Sequence, residues 1–329
     1  MKVLITGGAG YIGSTVASAC EDAGHDVVIL DDFSTGRREF IGERPLYEGD
    51  IADDSLLDRL LREQRIDAVV HCAAKIIVPE SVSKPLAYYE NNVAKTVTLL
   101  AALQRNGVER FLFSSSASIY APDENFVVTE DSPLQPGSPY ARTKFMVELI
   151  LEDFTRASDV RVASLRYFNP IGTDPKLRSG QQLEKPSHVL AKLLEAWVNK
   201  ETFTVTGVDW PTRDGSGIRD FIHVWDLARA HVAALEHFDE ATATDPYQVF
   251  NIGTGNGVTV KELAASFEKI TGDPLKVRFG EHRPGDVAGV YTVSTKARDV
   301  LGWEAELTET DAVRDAIAWL PVRKERLGY

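Results

Sequence analysis

The run Gly7-Gly8-Ala9-Gly10-Tyr11-Ile12-Gly13 directly follows an apolar, β-branched strand pattern at 2–6 and opens a helical pattern at about 14–23. A strand that runs through glycines into a helix must turn sharply. Small residues at Gly7, Gly10 and Gly13 let that turn approach other backbone or a ligand pyrophosphate. The helix N-terminus adds N–H donors and positive dipole for phosphate charge. Asp31 ends the next strand pattern (27–30), 18 residues after Gly13. A carboxylate there suits both hydroxyls of a ribose and repels a 2′-phosphate, so the expected cofactor is NAD rather than NADP. The bland alternative is a packing turn with no ligand.

The alternation continues. Helical spacing at 55–63, 93–106 and 140–156 separates strand patterns at 68–71, 111–114 and 162–166. This argues for an α/β chain of Rossmann type, a doubly wound parallel sheet with helices on both faces. Gly49-Asp50-Ile51, after a third strand, would suit the adenine edge, although Asp50 could equally cap a helix. Past Asn169 the rhythm changes: a loop at 169–180, a helix at 189–199, a hairpin-like stretch at 207–217, strands at 250–252 and 276–279, and helices at 260–271 and 309–320. The expected division is an NAD-binding Rossmann domain of 1–168 plus about 215–252. A smaller mixed α/β substrate domain takes about 169–214 and 253–329.

The charge balance narrows the partners. With 36 basic and 49 acidic side chains the net charge is −13, which argues against a nucleic-acid groove. An anionic substrate would need local arginines. Cys20 and Cys72 sit in apolar patterns and read as buried free thiols of a reducing compartment. No leader or membrane segment is expected, since 2–6 reads as a strand and no apolar run nears ~20 residues. A cytoplasmic location follows as the expectation. The seven histidines and two cysteines show no metal-site spacing.

Tyr140 and Lys144, four apart at a helix start, share one face. A free tyrosine, with a pKa near ~10, is a poor base at neutral pH. A neighbouring ammonium and an oxidised nicotinamide would both favour its phenolate and make it a usable general base. Such a pair alone is common on surfaces. Ser114-Ser115-Ser116, at the end of a parallel strand, raises it, because ligands of open α/β sheets bind at that edge.

Together these pieces resemble the extended short-chain dehydrogenase/reductase family, and within it the UDP-glucose 4-epimerases (UDP-galactose 4-epimerases). The likeness spans nearly the whole chain: TGGAGYIGS at 6–14, ESVSKPLAYYENNV at 80–93, FLFSSSASIYA at 111–121, SPYARTK at 138–144 and RYFNPIG at 166–172. WPTRDGSGIRDFIHVWDLA at 210–228 is the most epimerase-specific block, followed by FNIGTGNGVTV at 250–260 and RPGD at 283–286.

The resemblance implies that Tyr140 takes the proton of the sugar 4-hydroxyl while the C4 hydride moves to tightly held NAD. A 4-keto sugar then swings about its diphosphate and takes the hydride back on its other face. Ser116 would hydrogen-bond the 4-oxygen, and Lys144 would hold the nicotinamide ribose and lower the Tyr140 pKa. Gly7, Gly10, Tyr11, Ile12, Gly13, Asp31, Asp50, Ile51, Ala73, Ala74, Asn92, Ser114 and Phe168 complete the NAD contacts. Sister enzymes that dehydrate or decarboxylate carry acids after the strand-end hydroxyls, where this chain has Ala117 and Ser118; epimerisation is therefore expected. Arg219 and Arg283 fall at phosphate-binding positions, Asp286 at the uridine ribose and Asn169 at the diphosphate-sugar region. Arg219 also reads as a salt-bridge partner of Asp220, and Asp286 as a turn residue. His71 and His223 read as core or supporting residues.

Three positions depart from the family pattern. Ile76 stands where a lysine is usual, beside Lys75. His188, next to Val189, replaces an asparagine at the uracil site. Val290 replaces a bulky tyrosine beside the sugar, which suggests tolerance of UDP-GlcNAc/UDP-GalNAc. Competing readings are a 4-epimerase of UDP-glucuronate or a UDP-pentose, and a catalytically silent NAD-binding regulatory module. The family commonly dimerises through two helices per subunit, here 93–106 and 140–156, so a homodimer is expected.

Overall fold

A computed structural model describes residues 1–121, 123–184, 186, 188–282 and 287–329. The first part runs β1 (Lys2–Thr6), α1 (Tyr11–Asp22), β2 (Asp26–Asp31), β3 (Leu46–Glu48), α2 (Asp54–Gln64) and β4 (Ala68–His71). It continues with α3 (Val78–Ser83), α4 (Pro85–Tyr89), α5 (Lys95–Arg105), β5 (Arg110–Ser114), the short β6 (Val127–Val128), α6 (Pro139–Ala157) and β7 (Arg161–Tyr167). The remainder is β8 (Asn169–Ile171), α7 (Val189–Asn199), β9 (Thr202–Thr206), β10 (Ile218–His223), α8 (Val224–Glu236), α9 (Phe238–Ala241) and β11 (Tyr247–Ile252). It closes with β12 (Gly257–Thr259), α10 (Val260–Thr271), β13 (Lys276–Gly280), β14 (Tyr291–Thr292), α11 (Thr295–Leu301) and α12 (Glu309–Leu327).

Seven strands form one sheet in the order β11-β7-β5-β4-β1-β2-β3, every pairing parallel. Side-chain alternation along each strand feeds two cores. Val3 and Ile5 pack with Val16 and Ala17 of α1 and Leu227 and Ala228 of α8. Leu4 and Val28 pack with Leu57 and Leu60 of α2, Leu99 of α5 and Val147 of α6. The expected doubly wound sheet is therefore present. Its strand order reverses between β1 and β4, and ligands of such sheets bind in the crevice at that switch point.

The smaller sheets stand apart. β10 lies between β12 and β8, β13 pairs with β9, and β14 pairs with β6. Leu193 of α7, Phe267 of α10 and Val313 of α12 close a third core against Phe221 of β10. The 207–217 stretch is no hairpin, because β9 and β10, which flank it, join different sheets. Nor does 215–252 keep one allegiance. β10 pairs with β8 and β12, whereas α8 and β11 complete the large sheet's core, joined there by Ala297, Leu301 and Trp303. The 169–180 loop also carries β8, which its Pro170 concealed.

Candidate functional site

The glycine turn sits at the switch point. Gly7 has φ +72°, and a Cβ there would lie 2.7 Å from the backbone nitrogen of Ala73 at the end of β4. A Cβ on Gly13 would lie 2.2 Å from the Gly7 carbonyl oxygen, so α1 can lean on the strand end only with glycine there. Gly10 is different: its Cβ would meet only that carbonyl, at 3.3 Å, leaving a bare backbone cradle at the N-terminus of α1. The Asp31 carboxylate is buried and accepts from Ala9 N–H at 2.9 Å and Phe33 N–H at 2.8 Å. Burial raises its pKa, and those two N–H groups oppose the rise. Lone pairs remain for ribose hydroxyls. Ile12 packs on the core beneath, and the Tyr11 hydroxyl donates to the Gly172 carbonyl at 2.7 Å. Asp50 is not a helix cap: Asp53 caps α2, while Asp50 pairs with Lys95 and accepts from Ala52 N–H, with Ile51 buried beside it. Bare backbone, helix N-terminus and carboxylate together fit NAD.

Across the crevice, Ser138 caps α6 by accepting from Ala141 N–H at 3.1 Å, and Pro139 presets the first turn. This puts Tyr140, Lys144 and Glu148 on one buried stripe. Lys144 Nζ donates to the Ser114 carbonyl at 2.6 Å and lies 4.8 Å from the Phe113 ring centre. Burial pulls its pKa down to about 8, opposed by Cys72 and Glu148. The Tyr140 phenol is likewise buried, which pushes its pKa above 10, while a hydrogen bond with Ser116 pulls it back. Burial and Ser116 account for that shift, and the Lys144 ammonium is engaged by the Ser114 carbonyl. A bound oxidised nicotinamide would add a downward pull. Ser116 also caps the short turn of Ala117 and Ser118.

Asn92 clamps rather than probes the crevice. It accepts from Lys75 N–H at 2.8 Å and donates to the Lys75 carbonyl and to Thr143 of α6. It thereby fixes the segment holding Ala73 and Ala74 from a single π-helical turn, a local irregularity common at functional sites. His71 is buried between the hydroxyls of Thr6 and Thr96. His223 is buried, its Nδ1 accepting from Trp225 N–H and its Nε2 facing Asp315 at 3.2 Å. Both support the fold, as expected.

Sequence reasoning missed the polar core behind the serines. Glu148 accepts from Ser115 Oγ at 2.5 Å and from Arg166 Nη2 at 2.6 Å. Arg166 Nη1 donates to the Tyr120 hydroxyl, which donates to Asn251, and Asn251 donates to Thr292. The available signal was Glu148 repeating the Tyr140–Lys144 spacing.

Just past the end of β7, Phe168 is buried with Ala117 and Tyr120, and Val290 packs against this cluster. Asn169 is exposed on β8 and Val189 opens α7. Arg219 donates to the carbonyls of Ala288 and Ile218. Asp220, its neighbour on the strand, faces the other way; its buried carboxylate accepts from Thr254 and Thr292 and is pushed up to about 6. His188 stacks on Tyr11 with ring centres 6.4 Å apart, and burial lowers its pKa to about 4. Ile76 is exposed. Arg283 and Asp286 lie outside the described residues. Cys20 and Cys72 are free thiols, Cys72 half-buried. Among the described residues no cluster could hold a metal ion, and no helix is long and apolar enough to cross a membrane.

Residues 3–253 match the NAD dependent epimerase/dehydratase family. The chain is 42% identical to the UDP-glucose 4-epimerase of Azospirillum brasilense, over 99% of this chain and 94% of that one. Its fold matches UDP-glucose-4-epimerase from Stenotrophomonas maltophila, solved with NAD and formylated UDP-arabinopyranose (TM-score 0.94, 35% identity, 99% of each chain). It matches that of Bifidobacterium longum in complex with NAD+ and UDP with a TM-score of 0.91, 34% identity and 98% of each chain.

Proposed function

We propose, from the premise that the chain belongs to the NAD dependent epimerase/dehydratase family, that it is an isomerase interconverting UDP-galactose and UDP-glucose by inversion at C4. The observation that carries this reading is the buried stripe of Tyr140 and Lys144 on α6, with Lys144 held by the Ser114 carbonyl at the sheet edge that also holds the glycine turn. NAD, when bound, supplies reversible hydride storage, so no external redox partner is needed. Gly7, Gly10, Gly13 and Asp31 hold its adenosine and pyrophosphate, and Lys144 its nicotinamide ribose. Tyr140 takes the proton of the 4-hydroxyl as C4 becomes a ketone, and Ser116 hydrogen-bonds the same oxygen. The 4-keto sugar turns about its diphosphate, and Tyr140 returns the proton. Ala117 and Ser118 offer no carboxylate, so elimination of the 6-hydroxyl has no acid here. Arg219 and Arg283 would bind the diphosphate, Asp286 the uridine ribose and Asn169 the diphosphate-sugar region, with His188 and Val189 at the uracil. The layers around β8, β10 and β12 form the UDP-sugar domain over the Rossmann part.

The test is to denature purified protein, identify the nucleotide released, and incubate native protein with UDP-galactose without added cofactor. NAD and UDP-glucose are the expected products; absence of both overturns the reading. Val290 supports a second substrate range, N-acetylated UDP-hexoses, which a panel of UDP-sugars including the glucuronate and pentoses separates. Val97 of α5 and Met146 and Leu149 of α6 are large apolar side chains left exposed, which supports a homodimer through these helices, checked by light scattering. We place the enzyme in the cytoplasm, where its sugar nucleotides and free thiols belong.

A further inference from the structure

The loop after β2 walls the glycine turn. Asp31 binds Phe33 N–H and Ala9 N–H, and Arg37 N–H donates to the Ala9 carbonyl at 2.9 Å. A Cβ on Gly36 would lie 2.8 Å from both the Asp31 carboxylate and Ala9 Cβ, so the loop is packed directly on that turn. The same loop is tied from outside. Arg37 Nε donates to the phenol oxygen of Tyr329 at 3.0 Å, and that phenol donates to the Gln182 carbonyl at 2.5 Å. Gln182, 4% exposed, donates its own amide to the Thr35 carbonyl at 3.2 Å. The Tyr329 ring also lies near two guanidiniums, with Arg323 of α12 at 4.9 Å and Arg37 at 5.9 Å from its centre. One phenol beyond the end of α12 thus joins the loop over the cofactor turn to a segment anchored on the smaller part of the fold.

We propose that Tyr329 is a positioning residue that retains NAD: it latches the 33–37 loop over the glycine turn so that the cofactor stays bound between turnovers. The inference rests on reading that turn as the NAD site. A reaction with no net redox change needs its cofactor in place, not exchanged, and leaving requires the wall to lift. Tyr329 does not reach the reacting atoms, so its loss should change cofactor release and not the chemical step.

The experiment compares wild-type holoprotein with Tyr329→Phe, which removes both phenol hydrogen bonds, and Arg37→Gln, which cuts the link from the loop side. Each is exchanged into NAD-free buffer, and nucleotide appearing in the filtrate is followed with time. Both variants should release NAD about tenfold faster, the scale of one or two lost hydrogen bonds. They should become dependent on added NAD, yet match the wild-type kcat when NAD is saturating. Release as slow as wild type in both variants overturns the latch and leaves the epimerase reading standing. Wild-type protein that holds no NAD overturns both, and its empty baseline tells the cases apart.

Discussion

Lys144 Nζ donates to the Ser114 carbonyl at 2.6 Å, tying the first turns of α6 to the last residue of β5. The strand-end serines and the tyrosine one turn earlier on the helix therefore keep a fixed separation. The ammonium holds the site together and supplies its positive charge. It does so under a cost of burial that leaves its pKa at about 8.

That value fixes a pH dependence. Lysine is charged below its pKa, so the ammonium is present below about pH 8 and is lost as pH rises through it. Epimerisation should decline on the alkaline side of that point. Lys144→Arg keeps its charge far above it, so the alkaline limb should disappear in a pH–rate profile even with a lower plateau. A limb that stays where it was would exclude Lys144 as its source.

Tyr140→Phe removes the phenol placed with Ser116 at the strand end. With the aromatic core contact preserved, stability should change little. The turnover of UDP-galactose should fall by about 10²–10⁴-fold, the usual weight of a positioned acid–base group. Retention of NAD should be unchanged. Full activity in this variant would overturn the assignment of the base.

Much of this was readable before any fold was known. The alternation of strands and helices, the glycine turn with Asp31, and the Tyr140–Lys144 spacing are local patterns, and the large sheet keeps them local. What escaped was set by long-range partners. β8 hides behind Pro170, and β10, within the stretch expected in the Rossmann domain, pairs with β8 and β12. Helix spacing shows that Lys144 shares the face of Tyr140, but not that the Ser114 carbonyl accepts from its ammonium. Glu148 and Arg166 are 18 residues apart and look like two ordinary charges until the strand carrying Arg166 is laid beside Ser115.

Gly10 and Gly13 separate ligand from fold. Gly13→Ala drives a methyl to 2.2 Å from the Gly7 carbonyl and must displace α1, so thermal stability and NAD should be lost together. Gly10→Ala finds only a 3.3 Å contact. Its melting temperature without cofactor should stay close to wild type, while NAD affinity drops because the methyl fills the pyrophosphate cradle. Unchanged NAD binding in Gly10→Ala would remove the turn from the cofactor site.

Val290 sits against Phe168 and Ala117 where the sugar is expected. Val290→Tyr adds a ring to that wall. The ratio of UDP-GlcNAc to UDP-galactose turnover should fall at least about tenfold, since a steric penalty of a kcal/mol or two suffices for that. A ratio unchanged by the ring would show that Val290 does not limit sugar size.

The Glu148–Arg166 pair carries the last prediction, because its cost and its use are opposed. Both side chains are nearly inaccessible, at 4% and 6% exposure. Their attraction in low dielectric has to offset the loss of hydration, and such pairs give little net stability over an apolar pair. Removing one partner is another matter. Glu148→Gln leaves the Arg166 charge buried without its counter-charge and turns one of the two acceptor oxygens into a donor, and should cost about 3–5 kcal/mol in denaturant unfolding. Replacing both by methionine leaves no stranded charge, so the double variant should be more stable than Glu148→Gln alone. It should nevertheless turn over slowly, because Ser115 no longer holds the strand end where Ser116 meets Tyr140. A double variant with wild-type activity would show that the pair serves the core and not the site.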